Sequence, residues 1–141
     1  MKPADTGGPA LGQDVRVWRG APKPVGMRFP DPTGAFSVPG VKADWWAGVL
    51  QYPASSSFSG STVSIAGTAG AAHKSDLAVT TPVPGYVDVT FVIEPEDIAG
   101  VLPSQAARAQ HEIWLTPPGG EAVPVAIGLL DVRGTVKGAV A

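Results

Sequence analysis

Residues 86–93 read Tyr-Val-Asp-Val-Thr-Phe-Val-Ile, and this stretch decides the class of fold. Apolar side chains occupy every second position, and Asp88 and Thr90 lie between them. Successive side chains of a β-strand point to opposite faces, so this alternation is typical of a strand with one buried face. Turn residues bound the stretch, because Pro84-Gly85 precedes it and Pro95 follows closely. We therefore predict a half-buried strand here.

Seven further stretches of the chain have a similar strand-like pattern. They lie between Gly-, Pro- and Ser-rich segments that favour turns, such as Pro30–Gly34 and Pro117–Gly120. The small-residue stretch Gly67–Lys74 is predicted to be a loop. The predicted strands cover residues 14–19, 24–29, 42–52, 62–65, 77–80, 107–116 and 122–132.

Helix signals occur at one place, directly after residues 86–93. Pro95 suits the first position of a helix, and Glu96 and Asp97 place negative charge in the first turn. Gly100 and Pro103 limit this helix to one or two turns. The pattern predicts an all-β fold: an antiparallel, immunoglobulin-like β-sandwich of about eight short strands with one short helical turn.

The sandwich is expected to span residues 14–134 as one domain. Residues 1–13 are predicted to form a flexible N-terminal arm, and residues 135–141 a C-terminal tail of small residues. A chain of 141 residues can bury a sufficient core without a disulfide or metal. The lack of cysteine therefore leaves the redox compartment open.

Charge and hydropathy narrow the classes of partner. The formal net charge is −2 and charged residues make up 16% of the chain, which argues against nucleic acid and anionic membranes as partners. We find no apolar stretch of the roughly 20 residues that a membrane-spanning helix needs, and no secretory signal at the N-terminus. A surface poor in charge favours coverage by a protein partner, although small residues alone could also cover it.

Residues with catalytic chemistry do not converge in the sequence. The two histidines, His73 in a predicted loop and His111 within a predicted strand, lack a third metal ligand at short spacing. Glu94, Glu96 and Asp97 are better explained by helix initiation than by paired-carboxylate catalysis. We therefore expect no enzyme activity, no cofactor and no metal, and a structural role for His111.

The aromatic residues are the candidate binding groups. Trp45 and Trp46 are adjacent in a predicted strand, so one should lie in the core and the other outside. Trp18 lies in the strand predicted at residues 14–19, and Tyr52 is the last residue of the strand predicted at residues 42–52. We predict that interface contacts come from among Trp18, Trp45, Trp46 and Tyr52; the same residues could instead form a platform that stacks against sugars.

Several motifs of the chain follow one another in a familiar order. They are Val15–Gly20, Met27–Phe29, the Asp31–Gly34 turn, Val87–Phe91 followed by Glu94–Ile98, Leu102-Pro103, Pro118–Gly120 and Asp131–Gly134. In this order the chain resembles small β-sandwich structural domains of tailed-bacteriophage virions, in particular the N-terminal module of upper baseplate proteins. The resemblance covers residues 14–134. It departs after Arg19-Gly20, where the family often has an acidic residue and this chain has Ala21-Pro22.

This resemblance implies a non-enzymatic virion structural protein that is assembled in the host cytoplasm into the tail or baseplate. Its partners would be other virion proteins and copies of itself. Two alternatives stay open: a capsid decoration protein on the head surface, and a carbohydrate-binding module whose ligand is a glycan.

Overall fold

The computed structural model describes residues 10–51, 67–101 and 109–139. A 3₁₀ helix, Pro95–Ile98, follows the sixth strand, and a short helix α1, Val136–Ala139, follows the eighth. Within the described residues the strands number eight: β1 (Val15–Trp18), β2 (Lys23–Pro30), β3 (Lys42–Gln51), β4 (Gly67–Lys74), β5 (Ala78–Thr80), β6 (Tyr86–Ile93), β7 (Ala109–Thr116) and β8 (Val123–Arg133).

The strands form two sheets. A five-stranded sheet has the order β1-β8-β7-β3-β4, and a three-stranded sheet has the order β2-β6-β5. The grouping of β3, β7 and β8 in one sheet and of β2, β5 and β6 in the other is that of immunoglobulin-type sandwiches. The all-β prediction is thus confirmed, and β7 and β8 are an antiparallel pair joined by the predicted turn Pro117–Gly120.

One strand pair runs against the antiparallel prediction. β1 pairs with β8 in parallel, with Val15 opposite Leu130 and Trp18 opposite Arg133. The alternation of buried and exposed residues has a period of two in both kinds of sheet, so it does not report strand direction. The antiparallel prediction holds for the remaining pairs of described strands.

The paired region begins before the predicted domain boundary at residue 14. Ala10 bridges to Ala126 of β8, and the Gln13 N–H donates to the Ile127 carbonyl. Between the Ala10–Ala126 and Val15–Leu130 pairs, the N-terminal segment has one residue more than β8. This extra residue forms a bulge. Residues 10–13, predicted as part of the arm, are therefore attached to β8.

The stretch Gly67–Lys74, predicted as a loop, is the edge strand β4. It pairs with β3, and His73 on it lies opposite Trp46. The sequence Gly-Thr-Ala-Gly-Ala-Ala-His-Lys is poor in β-branched and aromatic residues, so its pairing comes from its neighbour β3 and not from intrinsic propensity. The strand predicted at residues 62–65 lies outside the described residues.

The core fills the space between the two sheets. Trp45 on β3 is fully buried, and its ring lies 5.9 Å from the ring of Phe91 on β6, which joins the sheets. Trp46 next to it is exposed, so the prediction that the pair faces both ways is confirmed. The inward side chains of β6 and β7 are buried at alternate positions, among them Val87, Val89 and Ile113.

A hydrogen-bonded network lies on the inner face of the five-stranded sheet. The Trp45 indole Nε1–H donates to His111 Nδ1 at 3.2 Å. Nδ1 is therefore an acceptor, so the proton of the neutral ring is on Nε2, which contacts the Gln13 carbonyl oxygen at 2.5 Å. Gly128 lies opposite His111, and a side chain there would collide with that carbonyl. These hydrogen bonds thus link β3, β7 and the bulge.

Arg19 joins both ends of the domain to the 3₁₀ helix. Its guanidinium donates to the Val101 carbonyl at 2.9 Å, just after that helix ends. The Thr135 hydroxyl bonds to the Arg19 carbonyl and also accepts a hydrogen bond from the Gly138 N–H, which caps α1. Residues 135–138, predicted as part of a tail, are therefore attached to the sandwich.

We expect Trp45→Phe to lower the free energy of unfolding by about 2–4 kcal/mol, because it leaves His111 Nδ1 without its donor and opens a small cavity. Urea denaturation measures the change. Trp46→Phe is the matched control, and its effect should stay within about 0.5 kcal/mol because the residue is exposed. Equal effects of the two substitutions would contradict this account of the core.

The stability of the fold should depend on pH through His111. Burial lowers the pKa of His111, and this outweighs the opposing effect of the hydrogen bond with Gln13. Below an unfolded-state pKa of about 6.5, the unfolded chain binds a proton that the folded protein does not. The free energy of unfolding should therefore fall as pH decreases below about 6.5, with a slope of up to about 1.4 kcal/mol per pH unit from this residue.

The measurement is urea denaturation of wild type and His111→Gln at several pH values between about 5 and 8. All other side chains are the same in the two proteins, so the difference between the two profiles reports His111. Parallel profiles would show that a buried neutral His111 does not contribute to the pH dependence of the free energy of unfolding.

Candidate functional site

Three of the four tryptophans project from the outer face of the five-stranded sheet. We call this surface, defined by Trp18, Trp46, Trp114 and Leu129, the tryptophan face. Trp18 on β1 is 50% exposed, Trp46 on β3 is 44% exposed and Leu129 on β8 is 48% exposed. Trp114 on β7 is half-buried. The face therefore presents large apolar groups on a hydrogen-bonded sheet.

The Trp46 ring packs against His73 on β4. The rings of Trp46 and His73 are stacked, with centroids 3.8 Å apart and planes 7° apart. His73 Nε2 also lies 3.0 Å from Asp44 Oδ1, a carboxylate on the same face of β3. His73 thus fixes the orientation of the indole, and its predicted location in a loop is corrected to a strand.

Glu112 lies beside Trp46 on the face and is fixed by two donors from its own strand. Trp114 Nε1–H donates to Oε1 at 2.9 Å, and Gln110 Nε2–H donates to Oε2 at 2.7 Å. Glu112 is also the cross-strand neighbour of Trp46. The carboxylate is therefore presented in a defined direction, with lone pairs still available to a partner.

Charged side chains surround Trp18 at the opposite end of the face. Asp131 on β8 accepts from Arg16 Nε and from Arg133 Nε, each at 2.9 Å. Partial burial would raise the pKa of Asp131, but these two hydrogen bonds lower it overall. Arg16 and Arg133 remain more than half exposed, at 58% and 52% of their side-chain area. This end therefore displays two guanidinium groups beside an indole.

The outer face of the three-stranded sheet has a different character. Arg28 on β2 makes two hydrogen bonds to Asp88 on β6, at 2.7 and 2.9 Å, and they lower the pKa of the Asp88 carboxyl. Tyr86 and Val92 are its exposed large apolar residues, at 41% and 39%. The tryptophans of this chain are confined to the other face and the core, so the two outer surfaces are not equivalent.

The structure sorts the predicted interface residues into three groups. Trp18 and Trp46 lie on the same outer face, whereas Trp45 is completely buried and cannot contact a partner. Tyr52 lies outside the described residues. Sequence reasoning missed Trp114, although the signal was present: His111, Ile113 and Leu115 point inward, so Trp114 must point outward.

The described ranges contain no cluster of three or more His, Asp, Glu or Cys side chains placed to hold a metal ion. His73 and His111 project from opposite faces of the five-stranded sheet and belong to separate hydrogen-bond networks. Among these residues, none of the helices has the length and apolar character needed to cross a membrane.

No family model matches the chain, and no curated protein matches it in sequence.

Proposed function

We propose that the protein is a non-enzymatic structural component of a tailed-bacteriophage virion, positioned in the tail or baseplate. It binds other virion proteins and copies of itself through the tryptophan face. The observation that carries this proposal is the placement of Trp18, Trp46 and Trp114 on one outer surface, with Trp18 and Trp46 each about half exposed.

The energetics of such a surface support a contact role. A large aromatic side chain buries about 150–250 Å² when it is covered, and tryptophan and arginine are enriched among the residues that dominate interfaces. Here they occur together, because Trp18 is the cross-strand neighbour of Arg133. Leaving these apolar groups in water is unfavourable, and a protein partner relieves that cost.

Two alternatives use the same surface. A capsid decoration protein would apply the tryptophan face to neighbouring shell subunits on the phage head. A carbohydrate-binding module would stack sugars on Trp46 and Trp114 and bond their hydroxyls to Glu112, which is already oriented by Trp114. That oriented carboxylate between two indoles is the specific observation in favour of a glycan.

The test introduces Trp18→Ala and Trp46→Ala into the phage gene and measures the protein's incorporation into purified particles. Each substitution removes an anchor of the face, so incorporation should fall about tenfold or more, as expected for the loss of an interface residue worth 1.4 kcal/mol or more. Circular dichroism and urea denaturation should show a normal fold, because both residues are exposed.

Tyr86→Ala is the matched control, since it removes an exposed aromatic residue from the opposite sheet. Wild-type incorporation of Trp18→Ala and Trp46→Ala would contradict the proposal. Immunogold labelling of intact particles then separates the locations: label on the tail supports the baseplate role, and label over the head supports decoration. Absence from particles together with binding in a glycan panel would favour the carbohydrate-binding alternative.

A further inference from the structure

The geometry points to a second copy of this chain as the occupant of the tryptophan face, related to the first by a two-fold axis that lies in the plane of the face beside Leu129. This inference deepens the proposed function and rests on it, because it names the partner of the same surface. It is drawn from the register of the strands, the area of the face and the complementary chemistry of its two ends.

The register places Trp18 and Trp46 at opposite corners of the face. Trp18 lies opposite Arg133, and Trp46 lies opposite Glu112, which in turn pairs with Ile127. The two tryptophans are therefore three strands apart and six residues of β8 apart. With strands about 4.8 Å apart and a rise of about 3.3 Å per residue, the separation is about 24 Å and its midpoint lies about 4 Å from Leu129.

A two-fold axis through this midpoint, perpendicular to the line between the tryptophans, superimposes complementary groups. Trp18 of one copy meets Trp46 of the second, so each indole gains an aromatic partner. Arg16 meets Glu112, and the guanidinium reaches a carboxylate that Trp114 and Gln110 hold in position. Because the axis is two-fold, each of these contacts occurs twice.

The centre of the face fits the same arrangement. Leu129 lies beside the axis and meets its own equivalent, so an exposed leucine becomes buried against a leucine. Gln110 maps onto Asp131, which pairs an amide donor with a carboxylate. Asp14 also lies close to the axis, where its equivalent from the second copy approaches it. Its carboxylate accepts a hydrogen bond from the Leu129 N–H of the same chain and is thereby turned toward its own backbone.

The area of the face is large enough for a stable pair. Five strands at about 4.8 Å and about eight residues at about 3.3 Å give roughly 600 Å² of flat surface. The protruding tryptophan and arginine side chains raise the accessible area toward the roughly 800 Å² per partner of a standard specific interface. The face is therefore of the right size as well as the right chemistry for a two-fold dimer.

Sedimentation equilibrium of the purified chain tests the inference. We expect wild type to be dimeric within the range from about 1 to 200 µM. Leu129→Glu should be monomeric throughout, because two carboxylates then meet at the axis. Val92→Glu is the matched control: it places the same charge on an exposed apolar position of the opposite sheet, and this variant should remain dimeric.

A charge exchange tests the axis itself. Arg16→Glu and Glu112→Arg should each raise the dimer dissociation constant by about tenfold or more, because two like-charged pairs appear in each homodimer. A 1:1 mixture of the two variants should recover association close to that of wild type. In that heterodimer one contact has reversed charges and the other is wild type, so both are attractive.

Several results would overturn the inference: a wild type that stays monomeric, a Leu129→Glu variant that dimerises like wild type, or well-folded charge variants whose mixture does not associate. Circular dichroism verifies the folding of each variant. A monomeric wild type together with loss of Trp18→Ala from particles would remove the second copy as partner but leave the proposed function standing. A dimer with normal incorporation of Trp18→Ala and Trp46→Ala would do the reverse.

Discussion

The hydrogen bond between the Trp45 indole and His111 sets the arrangement of the five-stranded sheet. It joins β3 to β7 at the centre of the five-stranded sheet, and His111 extends it to the Gln13 carbonyl at the edge. In antibody domains a buried tryptophan on the equivalent strand packs against a disulfide. This chain has no cysteine, and Trp45 instead bonds to a neutral histidine.

The position of Trp45 determines the character of the outer surface. Because Trp45 points inward, its neighbour Trp46 points outward. The pairing of β3 with β7 then places Glu112 beside Trp46 and Trp114 beside Asp44. The Gln13 contact also holds the N-terminal segment against β8, so that β1 continues the sheet and adds Trp18 to the same face. The tryptophan face thus follows from the hydrogen bonds that hold Trp45 and Gln13 in place.

Much of the fold could be predicted from local sequence. The predictions that were wrong have physical reasons. The alternation in residues 86–93 and the proline and acidic residues after them identify β6 and the 3₁₀ helix correctly. Residues 67–74 were missed because small residues do not favour a strand until β3 pairs with them. The parallel direction of β1 depends on contacts between residues 115 apart, which no local pattern records.

The candidate site was predictable only in part for the same reason. Alternation states that one of Trp45 and Trp46 is exposed, but only the packing against Phe91 and His111 decides which one. The outward direction of Trp114 could have been predicted from the sequence, since its phase relative to Ile113 is unambiguous. The stacking of His73 on Trp46 was not, because it requires the unpredicted strand β4.

Two copies of the protein should meet through the tryptophan face and not through the core tryptophan, which can be tested by ¹⁹F NMR of the protein labelled with 5-fluorotryptophan. The four resonances, assigned with single Trp→Phe variants, are followed through a concentration series. This contact between copies predicts that the resonances of Trp18 and Trp46 shift together as copies associate, while that of Trp45 stays constant. A shift of Trp45 alone, or four resonances that do not respond to concentration, would contradict it.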